Sequence, residues 1–109
     1  MRRYAKGRRH VPGMMNKLET AWGAQLTAQK MTWLFERITL KIADDTRYTP
    51  DFFSLGLTDD VPTFYEVKGF MRDDARVKLK VAADRFPMFR FYLVTRKGGA
   101  WQVEEIEPT

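Results

Sequence analysis

The chain has 109 residues, 44% of them hydrophobic and 14% aromatic, which provides for one domain around one core and leaves disorder of the whole chain out. It holds no cysteine and a single histidine, His10, so disulfides, thiolate zinc sites and histidine-rich metal centres are excluded. The net charge of +5 is carried by an N-terminal arm with Arg2, Arg3, Lys6, Arg8 and Arg9, beyond which fourteen basic residues balance fourteen acidic ones. No apolar run approaches the roughly 20 residues that cross a bilayer, and the start lacks the apolar stretch of a signal peptide. The expectation is a soluble, cytoplasmic protein with no membrane partner.

Residues 1–12 read as a basic, flexible arm closed by Pro12-Gly13, and residues 13–109 as a single domain. From Met14 to about Gln29, the stripe Met15, Leu18, Trp22, Leu26 predicts a helix that Gly23 weakens slightly. The pattern then switches to period two. Trp33 to Ile42 predicts a strand with Leu34, Ile38, Leu40 and Ile42 on one face. Ala43-Asp44-Asp45-Thr46 is turn chemistry, and Arg47 to Leu57 predicts a second strand, an edge or bulged at Pro50 because proline has no ladder donor.

Thr58 to Pro62 predicts a turn and Thr63 to Lys68 a short strand ended by Gly69, together a hairpin. Asp73 and Asp74 stand where a helix would begin, its apolar stripe is Ala75, Leu79, Ala82 and Phe86, and Pro87 stops it. Phe89 to Thr95 and Trp101 to Ile106 predict two strands around the turn Lys97-Gly98-Gly99. The sum is an α/β fold with a mixed, mostly antiparallel sheet of about five strands flanked by helices.

The chemistry gathers on the third strand. Side chains alternate along a strand, so Glu66 and Lys68 share a face, and an antiparallel partner brings Asp51 beside Glu66. Two carboxylates and a lysine side by side predict a divalent-metal site for phosphodiester cleavage, since Mg2+ takes hard oxygen ligands and commonly only one or two carboxylates. Asp51 and Glu66 are the expected ligands, the backbone carbonyl of Val67 a further oxygen, and Lys68 the group that handles the attacking water or the charge on phosphorus. Glu19 lies one position off the apolar stripe of the first helix, flanking the buried face, and is expected to reach the metal directly or through water. Mn2+ is expected to substitute for Mg2+.

Pro50-Asp51 and Glu66-Val67-Lys68 resemble the motif of the PD-(D/E)xK nuclease superfamily. Within it, Tyr48-Thr49-Pro50-Asp51-Phe52, Glu66-Val67-Lys68-Gly69, Asp73-Asp74-Ala75-Arg76 and Asn16-Lys17-Leu18-Glu19 resemble the phage endonuclease I family of Holliday-junction resolvases and related short phage endonucleases. The likeness runs roughly from Gly13 to Thr95. It implies a restriction-endonuclease-like core, Glu19, Asp51, Glu66 and Lys68 as active-site residues, one or two Mg2+ ions and action on branched DNA. Such an enzyme of phage origin would work in the host cytoplasm. The C-terminal part of that family is missing here, so metal-dependent cutting is the firmer implication, with nicking or single-strand and flap cutting the alternative to junction resolution.

DNA contacts are expected from the arm, from Lys17, and from the second helix and its approach through Arg72, Arg76, Lys78 and Lys80, gripping phosphates without reading bases. Phe35, Phe53, Tyr65, Tyr92 and Trp101 read first as core and second as platforms for unpaired bases. Paired incision of a junction calls for a homodimer. A reading of another class is a catalytically silent nucleic-acid-binding module, which gains nothing from acids facing phosphate.

Overall fold

The computed structural model describes residues 13–69 and 73–109. The first helix, α1 (Lys17–Ala28), begins where Asn16 caps it: the Asn16 side chain accepts from the Glu19 amide at 2.7 Å, and the Glu19 carboxylate accepts from the Asn16 amide at 2.9 Å. It ends at Gln29, with Lys30 at a φ of 64° turning the chain back. Trp22, Gly23 and Leu26 form its buried face. Gly23 is there for space, because a Cβ at that position would stand 2.9 Å from the Trp33 ring.

Seven strands follow: β1 (Trp33–Phe35), β2 (Leu40–Ala43), β3 (Thr46–Tyr48), β4 (Phe52–Leu55), β5 (Pro62–Lys68), β6 (Arg90–Lys97) and β7 (Ala100–Glu105), with α2 (Asp73–Arg85) between β5 and β6. Five of them make one sheet in the order β1-β4-β5-β6-β7. Every neighbouring pair is antiparallel except β5 and β6, which run parallel and are joined by α2, the crossover that a parallel pair requires. The expected α/β fold with a mixed, mostly antiparallel five-strand sheet is therefore present.

Two predicted strands are each divided. The single strand expected over 33–42 breaks at Glu36, whose φ of 51° ends β1, and the chain leaves the sheet to form a separate two-strand hairpin, β2 with β3. The break moves Leu34 to the solvent, 39% exposed, instead of onto one face with Ile38, Leu40 and Ile42. The strand expected over 47–57 breaks at Thr49-Pro50-Asp51, which hands the chain from the hairpin back to the sheet. Pro50 is neither on an edge nor in a ladder: it is buried in that link, and β4 lies inside the sheet between β1 and β5. The open strand edge nearest Pro50 is that of β3, which pairs only with β2 in the two-strand hairpin.

The sheet carries a core on each face. On one side α1 sets Trp22 and Leu26 over Phe52, Tyr65, Val67 and Val94. On the other, α2 and the β2–β3 hairpin set Leu79, Ala82, Leu40, Ile42 and Tyr48 over Phe64, Phe91 and Leu93. β5, with Thr63 to Val67 buried, is the central strand of this three-layer arrangement. Among the described residues no helix is long and apolar enough to cross a membrane.

Candidate active site

The end of β5 is where the fold places charge inside the sheet. The β4–β5 register pairs Phe52 with Tyr65, which sets Asp51 against Glu66 just beyond the last ladder pair. There Asp51 Oδ2 accepts from the Val67 amide at 2.8 Å, so the side chain takes up a main-chain donor that β4 no longer meets. Glu66 shares its face of β5 with Phe64 and Lys68, the side of α2 and the hairpin. The Tyr48 hydroxyl at the end of β3 donates to Glu66 Oε1 at 2.6 Å, and Lys68 Nζ lies 3.3 Å from Glu66 Oε2. Both oxygens of Glu66 are engaged, by different partners.

Glu19, Asp51 and Glu66 are 6%, 8% and 8% exposed. Burying carboxylates in number raises a charge problem, and Lys68, with 35% of its side chain exposed, is the cation placed against it. The imbalance registers on Asp51. Its carboxyl is pushed up to about 8, first by burial and then by the negative charge of Glu66, with Glu19 adding to the rise and the Val67 amide and Lys68 opposing it. Tyr48 is held protonated, its phenol raised far above the usual value by burial, then by the charge of Glu66 and the hydrogen bond it donates there, and by Asp51.

Such a donor set suits a hard divalent cation. Asp51 and Glu66 offer oxygen ligands side by side, and a positive charge bound between them would offset the burial and the charge of Glu66 that raise Asp51. Among the described residues no group of three or more His, Cys, Asp or Glu side chains stands together as a ready metal cage. Mg2+ does not need one, because it keeps several waters and uses one or two carboxylates.

The sequence-predicted residues therefore fall into groups. Asp51, Glu66, the Val67 main chain and Lys68 are brought together, and the capping Glu19 lies near enough for its charge to act on Asp51. The Val67 side chain itself is core. Tyr48 belongs to this site by contact although its residue type carried no such signal; only its place just ahead of Pro50-Asp51 hinted at it.

Of the expected DNA contacts, Arg2, Arg3, Lys6, Arg8, Arg9 and Arg72 lie outside the described residues. Lys17 is exposed at the start of α1, and Lys78 is exposed on α2. Arg76 and Lys80 are turned to the C-terminal segment, where Arg76 pairs with Glu104 of β7 at 2.6 Å and Lys80 donates to the carbonyl of Glu107, just past β7, at 2.7 Å. Tyr65 is core, and Phe35, Phe53, Tyr92 and Trp101 are partly buried against it and its neighbours. Tyr65 stacks on Tyr92 at 5.5 Å, Trp101 meets Trp22 at 5.0 Å, and Phe35 and Phe53 lie against Phe52 and Phe64, each at 5.2 Å.

No family model matches this chain, and neither the curated proteins nor the solved structures compared with it provide a match.

Proposed function

We propose that this chain is a Mg2+-dependent DNA endonuclease whose reacting centre is the end of β5. The observation that carries the reading is the meeting of Asp51, just before β4, and Glu66 of β5, two buried carboxylates, with Lys68 against Glu66. An ion pair that served stability alone gains little from a second buried acid, Asp51, beside it. A cation and a phosphodiester give Asp51, Glu66 and Lys68 a shared use.

Asp51 and Glu66 would hold the cation, with the Val67 carbonyl and, directly or through water, Glu19. Bound there, Mg2+ supplies positive charge and Lewis acidity for phosphodiester hydrolysis. The rest falls to this chain's own side chains. Lys68 sits on the same face as Glu66 and is half-exposed, so its ammonium is open to a phosphate or to the attacking water. Glu66 keeps that ammonium in place, and the Val67 amide does the same for Asp51. The basic arm and Lys17 would lie along the DNA backbone, with affinity drawn from counterion release.

Branched DNA is the proposed substrate, on the resemblance of the Tyr48–Lys80 segment to junction-resolving phage endonucleases. Resolution takes two incisions, so a chain with one such centre would work as a homodimer. Cleavage of linear, nicked, flapped and four-way DNAs, each with Mg2+, Mn2+ or EDTA, tests the proposal. Cutting is expected with either metal, strongest on the four-way DNA, and none in EDTA. Equal cutting of every substrate would remove the junction preference, and cutting that survives EDTA would remove the metal mechanism.

A further inference from the structure

Tyr48 gives no ligand to the proposed metal, yet the fold takes trouble to place it. We infer that Tyr48 is a positioning residue for Glu66, fixing the plane of that carboxylate so that the metal-binding lobe stays aimed at Asp51. The inference rests on the proposed metal centre. Its first support is the division of labour on Glu66: the Tyr48 hydroxyl holds Oε1 at 2.6 Å while Lys68 approaches Oε2 at 3.3 Å. The terminal torsion of a glutamate is broad and roughly two-fold, so one contact leaves the carboxylate free to turn, whereas contacts to separate oxygens fix it.

The second support is how the chain runs. Tyr48 is the last residue of β3 and Asp51 stands just before β4, so Tyr48-Thr49-Pro50-Asp51 spans the gap between the hairpin and the sheet. One end of this link grips Glu66 and the other accepts from the amide of the next residue, Val67. Beside the β4–β5 register, these four consecutive residues thus tie the two proposed ligands together. That link is stiff: Pro50 is buried with φ confined by its ring, Thr49 Oγ1 lies 2.6 Å from Thr39 Oγ1, and the Asp51 carbonyl accepts from the Glu36 amide at 2.9 Å.

The third support is chemical. Lys68 already sets one positive charge against Glu66 Oε2; a second on Oε1 would compete further with a divalent cation, while a phenol orients the carboxylate and adds no charge. Outer-shell partners of this kind commonly carry a 10- to 100-fold share of metal affinity.

Calorimetric titration of Mn2+ into the full chain without DNA separates this role from a packing role. Tyr48→Phe keeps the ring in the core and removes only the donor. Its Mn2+ dissociation constant should rise about 10- to 100-fold, and the Mn2+ concentration for half-maximal cleavage should rise by the same factor. In a Glu66→Gln background the same change should alter Mn2+ binding by less than about twofold, because Tyr48 acts through Glu66. A lower melting temperature with unchanged Mn2+ affinity in Tyr48→Phe would leave Tyr48 a packing residue and overturn the inference. Should that variant not fold, 3-fluorotyrosine placed at position 48 of the otherwise native chain gives a second test. Its fluorine resonance should move in step with Mg2+ occupancy, and a resonance that stays still through the titration overturns the inference. A native chain that binds no Mn2+ removes the proposed function and this inference together; equally tight Mn2+ binding by the native chain and by Tyr48→Phe removes only the inference.

Discussion

Asp51→Asn removes a buried acid while leaving its volume, and its effect on stability has a sign that the geometry dictates. In the folded chain the Asp51 carboxyl keeps its proton up to about 8, chiefly through burial and the charge of Glu66. In the unfolded chain an aspartate ionises near pH ~3.9. Between those values the native state binds the extra proton, so stability without metal falls as pH rises, and it levels off above about 8 where both states are ionised. Each pH unit in that window costs up to ~1.36 kcal/mol, so the step from pH 5 to pH 7 costs about 3 kcal/mol. For a domain of this size that is a fall of about 10 °C or more in melting temperature. An asparagine side chain has no proton to lose, so the variant should lack this fall and be more stable than the native chain at pH 8. Mg2+ binds the ionised carboxylate, so its stabilisation of the native chain should grow with pH. Thermal melts of both proteins from pH 5 to 8, with EDTA and with Mg2+, measure all three effects. Identical pH profiles for the two proteins in EDTA would refute the reasoning.

Other predictions follow from single contacts. Lys68→Ala should slow the single-turnover cleavage step by about 10²-fold or more and, by leaving the buried Glu66 without its ammonium, lower the melting temperature; native rates would show that the ammonium is idle. Gly23→Leu puts a side chain where even a Cβ stands 2.9 Å from the Trp33 ring, so it should destabilise the fold by about 3 kcal/mol or more in urea unfolding; an unchanged midpoint would mean that α1 does not pack on β1 as described. Deleting residues 1–9 should weaken binding to every DNA about equally and lower the slope of log affinity against log salt by about 0.9 for each duplex phosphate that the arm neutralises, without moving the cut; an unchanged slope would retire the arm as a DNA-binding element.

The helices and the strands β5, β6 and β7 were legible because their signals are local. The stripe Trp22–Leu26 is the buried face of α1, though the helix starts at Lys17 behind the Asn16 cap and leaves Met15 exposed, and Ala75, Leu79 and Ala82 mark the side of α2 that meets the sheet. Alternation also put Glu66 and Lys68 on one face, and the turn before β5 put Asp51 across from Glu66. What local pattern did not disclose is the exchange of partners between sheets. Period two survives from Trp33 to Ile42 even though β1 pairs with β4 and β2 with β3, since the partners lie farther along the chain and one left-handed residue, Glu36, makes the switch. Pro50 was a visible irregularity, but its meaning depends on the hairpin packing over α2, a contact between distant segments. For the same reason the Tyr48 hydroxyl at Glu66 belongs to tertiary structure: no spacing rule in the chain joins positions 48 and 66.

The central claim is that Asp51 and Glu66 hold the metal that cuts DNA, and it is met most directly by incubating a labelled four-way DNA with the native chain, Asp51→Asn and Glu66→Gln at matched occupancy of the DNA. The account predicts Mg2+-dependent incision by the native chain alone, with both variants folded, bound to the DNA and inactive. Incision by both variants at the native rate, or none by a native chain that binds DNA and Mg2+, would contradict it.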